Sequence, residues 1–305
     1  MVIQSLKYEN PAYQVEVDWM ITQRCNYSCS YCASYDNSQP FLFRSLEEYI
    51  NSFKYLSDRF GNKTIRLVFL GGEPTLFKQW VELVNWLTEY NYVPEITTNL
   101  SVPVKSYISK LNGKAEKFLT ASYHTEFTTI PDFVENLKPL ADKNYLKGIT
   151  LLADPNKWDE TLYAIEEFSK IGKVNPVKIK NEFTSSPAIS SSFIEYTDDQ
   201  LKLFEEIEVD DPYITMRVDD KIIHPNILTI RNKYSNFKGM NCAVGQDRLH
   251  IKPNGDVYPS ACLLNYPRAK MGNIYKEDVI VPKSSIVCPF KECLCGPDIR
   301  IEKWA

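Results

Sequence analysis

The sequence predicts an α/β fold, a partial barrel of six β-α units followed by a small cysteine-rich C-terminal domain with a β-hairpin. Three observations carry this. From residue 15 to about 212, short β-branched or aromatic runs alternate with longer amphipathic stretches, the pattern of repeated units around a parallel sheet. The alternation stops near residue 213. Eight cysteines fall in two groups, three between 25 and 32 and five between 242 and 295.

Taken in order, the first strand is expected at 15–22 (VEVDWMIT) and the first helix at 45–59, where Ser45 is placed to cap and Glu48 to complete a capping box. Strands then follow near 64–70 (TIRLVFL), 94–99 (PEITTN), 117–123 (KFLTASY), 147–153 (KGITLLA) and 176–182 (PVKIKNE). The helices that alternate with them are expected at 76–90, 103–111, 130–142, 157–170 and 197–207. The Ser-rich piece TSSPAISSS at 184–192 reads as a loop. The barrel domain is thus 1–212, with 213–240 as a connector and 241–305 as the appended domain. In that last part, Pro253-Asn254-Gly255-Asp256 between RLHIK and DVYP is a hairpin turn signal.

Composition narrows the function. At 305 residues, with 44% hydrophobic and 13% aromatic residues, the chain can bury a sizeable core without staples. No run approaches the ~20 apolar residues of a membrane span, and the first residues lack a secretory signal, so a cytoplasmic location is expected. Acidic residues outnumber basic ones, 39 to 35, and no Lys/Arg block stands out, which disfavours a general nucleic-acid binder. Cytosolic thiols stay reduced, so eight cysteines point to metal or catalysis before disulfides.

The first group is Cys25, Cys29 and Cys32, directly after the first strand. Three thiolates on a tight loop can hold three irons of a cubane cluster and leave the fourth open. Neither the extra cysteine of a ferredoxin run nor a fourth zinc ligand follows Cys32, although a zinc site remains the alternative. At the end of the second strand, Gly71-Gly72-Glu73 offers backbone free to approach a ligand and a carboxylate suited to an ammonium group.

On these residues, with Tyr31 before the last cysteine, the chain resembles the radical S-adenosylmethionine (SAM) superfamily over residues 15 to about 205. The resemblance implies a catalytic 4Fe-4S cluster on Cys25, Cys29 and Cys32, with S-adenosylmethionine on its open iron and its amino group at Gly71, Gly72 and Glu73. It further implies cofactor contacts from Thr98 and Asn99 at the end of strand three, and from Ser122 and His124 at the end of strand four. Each of these also has a plain reading as a cap or a packed side chain. The implied chemistry is reductive cleavage to a 5'-deoxyadenosyl radical that abstracts hydrogen from a substrate C–H bond, fed by an external donor such as a flavodoxin or ferredoxin.

The second group is Cys242, Cys262, Cys288, Cys293 and Cys295. With Gly255-Asp256-Val257-Tyr258-Pro259 before Cys262, it resembles the shortened twitch form of the auxiliary-cluster (SPASM-like) domain, though two residues separate Pro259 from Cys262. The resemblance implies a second 4Fe-4S cluster on Cys242, Cys262, Cys288 and one of Cys293 or Cys295, with Cys295 preferred. The spare thiol would then be idle or a hydrogen-atom donor. Structural zinc is the alternative. The substrate expected is a small, polar, sugar-like molecule, oxidised or epimerised. Radical modification of a ribosomally made peptide and a non-catalytic iron-sulfur protein for electron transfer or sensing are the competing readings.

Overall fold

The computed structural model describes residues 2–32, 43–179, 194–206 and 212–305. The strands are β1 (Ile3–Tyr8), β2 (Val15–Thr22), β3 (Ile65–Gly71), β4 (Tyr92–Thr98), β5 (Leu119–Tyr123), β6 (Leu146–Ala153) and β7 (Val174–Lys178). Beyond them come β8 (Ile214–Val218), β9 (Lys221–Ile223), β10 (Asn241–Cys242), β11 (Arg248–Ile251), β12 (Asp256–Tyr258), β13 (Gly272–Asn273), β14 (Ile286–Val287) and β15 (Lys303–Trp304). The helices are α1 (Leu46–Arg59), α2 (Trp80–Leu87), α3 (Ile130–Asp142), α4 (Trp158–Ser169), α5 (Asp198–Glu206), α6 (Ile227–Lys233) and α7 (Gly296–Ile299).

Strands β2 to β7 pair in sequence order, all parallel, as the open barrel predicted. The capping box at Ser45 and Glu48 forms and starts α1. Residues 180–182 of the sixth expected strand, the Ser-rich loop at 184–192 and residue 207 lie outside the described residues. Alternation along β2 sends Val15, Val17, Trp19 and Ile21 to the helix-side core, where Trp19 meets Tyr49 and Phe53 of α1 edge-on. Glu16, Asp18 and Thr22 therefore face the lumen. They are buried there too.

Three expectations needed correction. The helix at 103–111 is instead two 3-10 turns, Val104–Ser106 and Ile108–Lys110, because Tyr107 leaves helical geometry (φ −133°) to pack its ring edge-on against Trp80. The helix at 76–90 starts only at Trp80, since a Glu73-capped 3-10 turn occupies Pro74–Leu76. The connector at 213–240 holds real structure, β8, β9 and α6, and β8 pairs with the unanticipated N-terminal β1.

Two sheets result. The predicted hairpin forms as β11 and β12, but β11 also lies parallel to β2 and carries the barrel sheet onward to β12 and β13. A second sheet runs β14-β10-β15-β1-β8-β9, so it joins strands from both ends of the chain. Behind it Leu6, Met216, Ile230, Phe237 and Ile299 form a separate core that includes Cys242 and Cys288. No helix among the described residues is long and apolar enough to cross a membrane.

Candidate active site

The loop after β2 carries Cys25 and Cys29, partly or largely buried, and Cys32, exposed. Cys29 and Cys32 close a turn in which the Cys32 amide donates to the Cys29 carbonyl at 3.0 Å. Burial pushes the Cys25 thiol up and the Cys29 thiol up to about 12, so free thiolates are disfavoured until a cation takes the place of the proton. No three His, Cys, Asp or Glu side chains among the described residues converge as the ligands of a single ion must. A cubane takes one thiolate per iron and asks for a wider spacing.

What positions this loop is the Gly-Gly pair. The Gly72 amide donates to the Thr22 carbonyl at 2.8 Å and the Glu73 amide to the Arg24 carbonyl at 3.0 Å. A Cβ on Gly71, whose φ is +116°, would lie 1.9 Å from the Thr22 oxygen, and one on Gly72 would lie 1.8 Å from the Arg24 oxygen. The glycines thus let the end of β3 dock on the backbone that leads into Cys25. In this structure that close approach is made to protein.

Glu73 is buried, with four donors around its carboxylate. Oε1 accepts from the Thr75 amide (2.9 Å), Thr75 Oγ1 (2.6 Å) and Thr98 Oγ1 (2.8 Å), and Oε2 accepts from the Asn99 amide at 2.7 Å. Burial pushes its carboxyl up against the pull of those donors. Glu73 thereby fixes the ends of β3 and β4 together. Asn99, held by it, points Nδ2 at Cys25 Sγ (3.5 Å) and at Asn26 Oδ1 (3.2 Å), so strand three reaches the cysteine loop.

Strand four's end reaches it from the other side. His124 Nδ1 lies 3.1 Å from the Tyr31 hydroxyl and 3.6 Å from Cys29 Sγ, its ring stacked on Tyr31 and edge-on to Tyr27. Burial drops the His124 pKa to about 4, which keeps the imidazole neutral. Glu126 accepts from the Ser30 amide at 2.8 Å, and Phe127 stacks on Tyr27. Ser122 is buried on the lumen face of β5, opposite Thr150 of β6. The ten residues expected around the cofactor therefore lie at or just after the C-terminal ends of β2 to β5, and Gly72, Glu73, Asn99 and His124 reach the cysteine loop or the backbone leading into it.

Below that loop, the lumen holds charged and polar groups that the sequence reading missed. Arg248 of β11 bonds Asp18 through both terminal nitrogens and Glu16 at 2.5 Å, while Arg66 bridges Glu16 (2.5 Å) and Glu95 (2.9 and 2.5 Å). Burial alone would raise the Glu16 carboxyl, but the guanidinium groups of Arg248, Arg66 and Arg300 win and hold it at about 2. His250, next to Asp18 in register, is buried with neither ring nitrogen partnered among the described residues. The signal for these groups was the period-2 alternation of VEVDWMIT and RLHIK.

The second cysteine group meets around one apolar cavity lined by Cys242, Cys262, Cys288 and Cys293 with Val244, Leu263 and Phe290. Cys295 lies to one side of this cavity: its backbone caps α7, and it packs with Tyr258, Ala261 and Leu264. Burial pushes Cys242 up to about 11 and Cys293 up to about 12, in both cases against the pull of nearby Lys303.

Residues 19–179 match the family model described as the Radical SAM superfamily. A probable GTP 3',8-cyclase of Pyrococcus horikoshii is 24% identical over 273 residues, 80% of this chain and 82% of that one. An S-adenosylmethionine-dependent nucleotide dehydratase of Selenomonas ruminantium is 28% identical over 133 residues, 42% of this chain and 41% of that one. Among solved structures, native anSMEcpe with bound AdoMet gives a TM-score of 0.56 at 15% identity, covering 86% of this chain and 79% of that one. Streptococcus suis SuiB bound to S-adenosylmethionine gives 0.59 at 16% identity, covering 88% and 64%. At such identities the structures share the fold.

Proposed function

This chain belongs to the radical SAM superfamily, and from that premise we propose that it abstracts a hydrogen atom from a small, polar, hydroxyl-bearing substrate, a sugar or a nucleotide, held in the barrel lumen. The family implies a 4Fe-4S cluster and S-adenosylmethionine. When bound, these supply the chemistry: one electron from an external donor, a flavodoxin or ferredoxin, splits S-adenosylmethionine into methionine and a 5'-deoxyadenosyl radical.

The chain's own residues do the rest. Cys25, Cys29 and Cys32 would each hold one iron, and the fourth is left to the cofactor. Gly71 and Gly72 dock the end of β3 on the cysteine loop, beside which the cofactor would sit, while Glu73, saturated by four donors, acts by holding Thr98 and Asn99 in place. Neutral His124 and Tyr31 wall Cys29 from solvent on the strand-four side. Cys242, Cys262, Cys288 and Cys293 would hold an auxiliary 4Fe-4S cluster, the cavity they line being apolar.

The observation that carries the substrate class is the lumen wall. Asp18 and Arg248 engage each other there, while His250, buried on the lumen side of β11, leaves both ring nitrogens without a partner among the described residues, and an imidazole so placed suits a hydroxyl, amide or phosphate partner. The relatives named for GTP and nucleotide chemistry support the same class. The test is anaerobic reconstitution followed by dithionite, S-adenosylmethionine and a panel of nucleotide sugars, nucleoside triphosphates and short peptides, scored as 5'-deoxyadenosine formed above the substrate-free background. Stimulation by a nucleotide or sugar supports the reading. Stimulation by peptides alone overturns the substrate class, and no 5'-deoxyadenosine under any condition overturns the activity.

A further inference from the structure

Lys303 stands directly opposite Cys242 across the β10-β15 pair, and its side chain is buried against the four-cysteine cavity. Nζ donates to three carbonyl oxygens, those of Asp298 (2.8 Å), Ile299 (3.0 Å) and Ile301 (2.7 Å), and lies 4.9 Å from the centre of the Phe237 ring. Three acceptors use three hydrogens, which only the ammonium form carries. No carboxylate among the described residues lies within ion-pair distance of it. Asp298, on the same cavity wall, has its carboxylate on other partners: it accepts from the Cys262 amide at 2.9 Å and the Ala261 amide at 3.2 Å and lies 4.0 Å from Arg248 Nε.

A fully buried positive charge without a carboxylate in contact is costly unless another anion balances it. The cavity wall offers four thiols, which become four negative charges when they bind metal. We infer that Lys303 is the built-in counter-charge of the group held in this cavity, and that it raises the reduction potential of that group by stabilising the more negative, reduced state. The inference rests on the reading of Cys242, Cys262, Cys288 and Cys293 as holders of a 4Fe-4S cluster. Net charge and hydrogen bonding near the sulfurs are the terms that set such potentials. Lys303 is thus a positioning and tuning residue. Its bonds to the last turn of α7 also staple the segment carrying Cys293 to the strand carrying Cys242.

The two roles separate in a redox titration followed by electron paramagnetic resonance, performed on the full chain with Cys25, Cys29 and Cys32 replaced by Ala so that only the second site holds iron. Lys303→Met is expected to move the midpoint negative by at least a tenfold change in the reduced-to-oxidised ratio, about 59 mV for one electron, and Lys303→Arg to restore most of it. Lys303→Gln, which keeps amide donors for the carbonyls, replaces Met if that variant fails to fold. A midpoint unmoved by Met or Gln, with only a lower unfolding temperature, overturns the tuning role and leaves the cluster reading intact. A three-cysteine variant that binds zinc or no iron overturns the cluster reading and the inference with it.

Discussion

Cys25, Cys29 and Cys32 come from a single stretch of eight residues, whereas Cys242, Cys262, Cys288 and Cys293 are drawn from separate segments and held by strands from both ends of the chain. The first loop keeps Cys32 exposed and is docked on the strand ends around it, Gly71-Gly72 against Thr22 and Arg24, Asn99 against Cys25 and His124 against Cys29. The second site buries Cys242 and Cys288 in its own hydrophobic cluster and carries a buried cation. A site that must admit a cofactor is built as an open loop on a rigid rim. The second site, by contrast, is built as a core.

If that contrast is right, damage to the first site should cost chemistry and spare the fold. Cys25→Ala is expected to reduce 5'-deoxyadenosine to background while leaving the unfolding temperature near that of the parent; a variant that still cleaves S-adenosylmethionine would refute the assignment. Gly72→Ala tests the rim itself. The added methyl must displace the Arg24 carbonyl, and a shift of about 1 Å in a reacting group is enough to cost about 10²-fold in rate. Unchanged turnover in Gly72→Ala would show that the loop is positioned by something else.

The second site should respond in the opposite way. Cys242→Ala is expected to lose about half of the iron bound on reconstitution, to unfold at lower temperature, and to keep substrate-independent 5'-deoxyadenosine formation. Equal loss of cleavage in both cysteine variants would erase the distinction. The smallest effect concerns the strand between the two regions. His250 on β11 has its pKa lowered by burial to about 4, so below its ordinary 6.5 the unfolded chain binds the extra proton. Stability is therefore present above pH 6.5 and lost as pH falls toward 4, by at most about 1.4 kcal/mol per pH unit from this residue. Thermal unfolding at pH 7 and pH 5 should show a steeper acid loss for the parent than for His250→Phe.

Much of the barrel was legible because its signals are local: alternation along VEVDWMIT, the Ser45-Glu48 box, and three cysteines within one loop. The role of Glu73 was only half legible. Its sequence neighbours announce a ligand loop, but its four donors come from Thr75 and from β4's end, which only folding brings near. That Cys293 and not Cys295 lines the cavity was hidden for the same reason, since two residues of spacing cannot tell which thiol faces it. Strand β1 was missed because IQSLKY has little hydrophobic contrast and takes its place from partners far along the chain.

Those partners set an order of events. β1 lies between β8 and β15, so Leu6 waits for Met216, about two hundred residues later, and then for Lys303. During synthesis on the ribosome this strand has an unfilled edge until Met216 and then Lys303 have emerged, and long-range closure of this kind is slow. The barrel strands can pair in the order they are made, each beside the last. The cavity bounded by β10 and β15 closes only when those two strands pair, which leaves an interval in which its thiols are accessible.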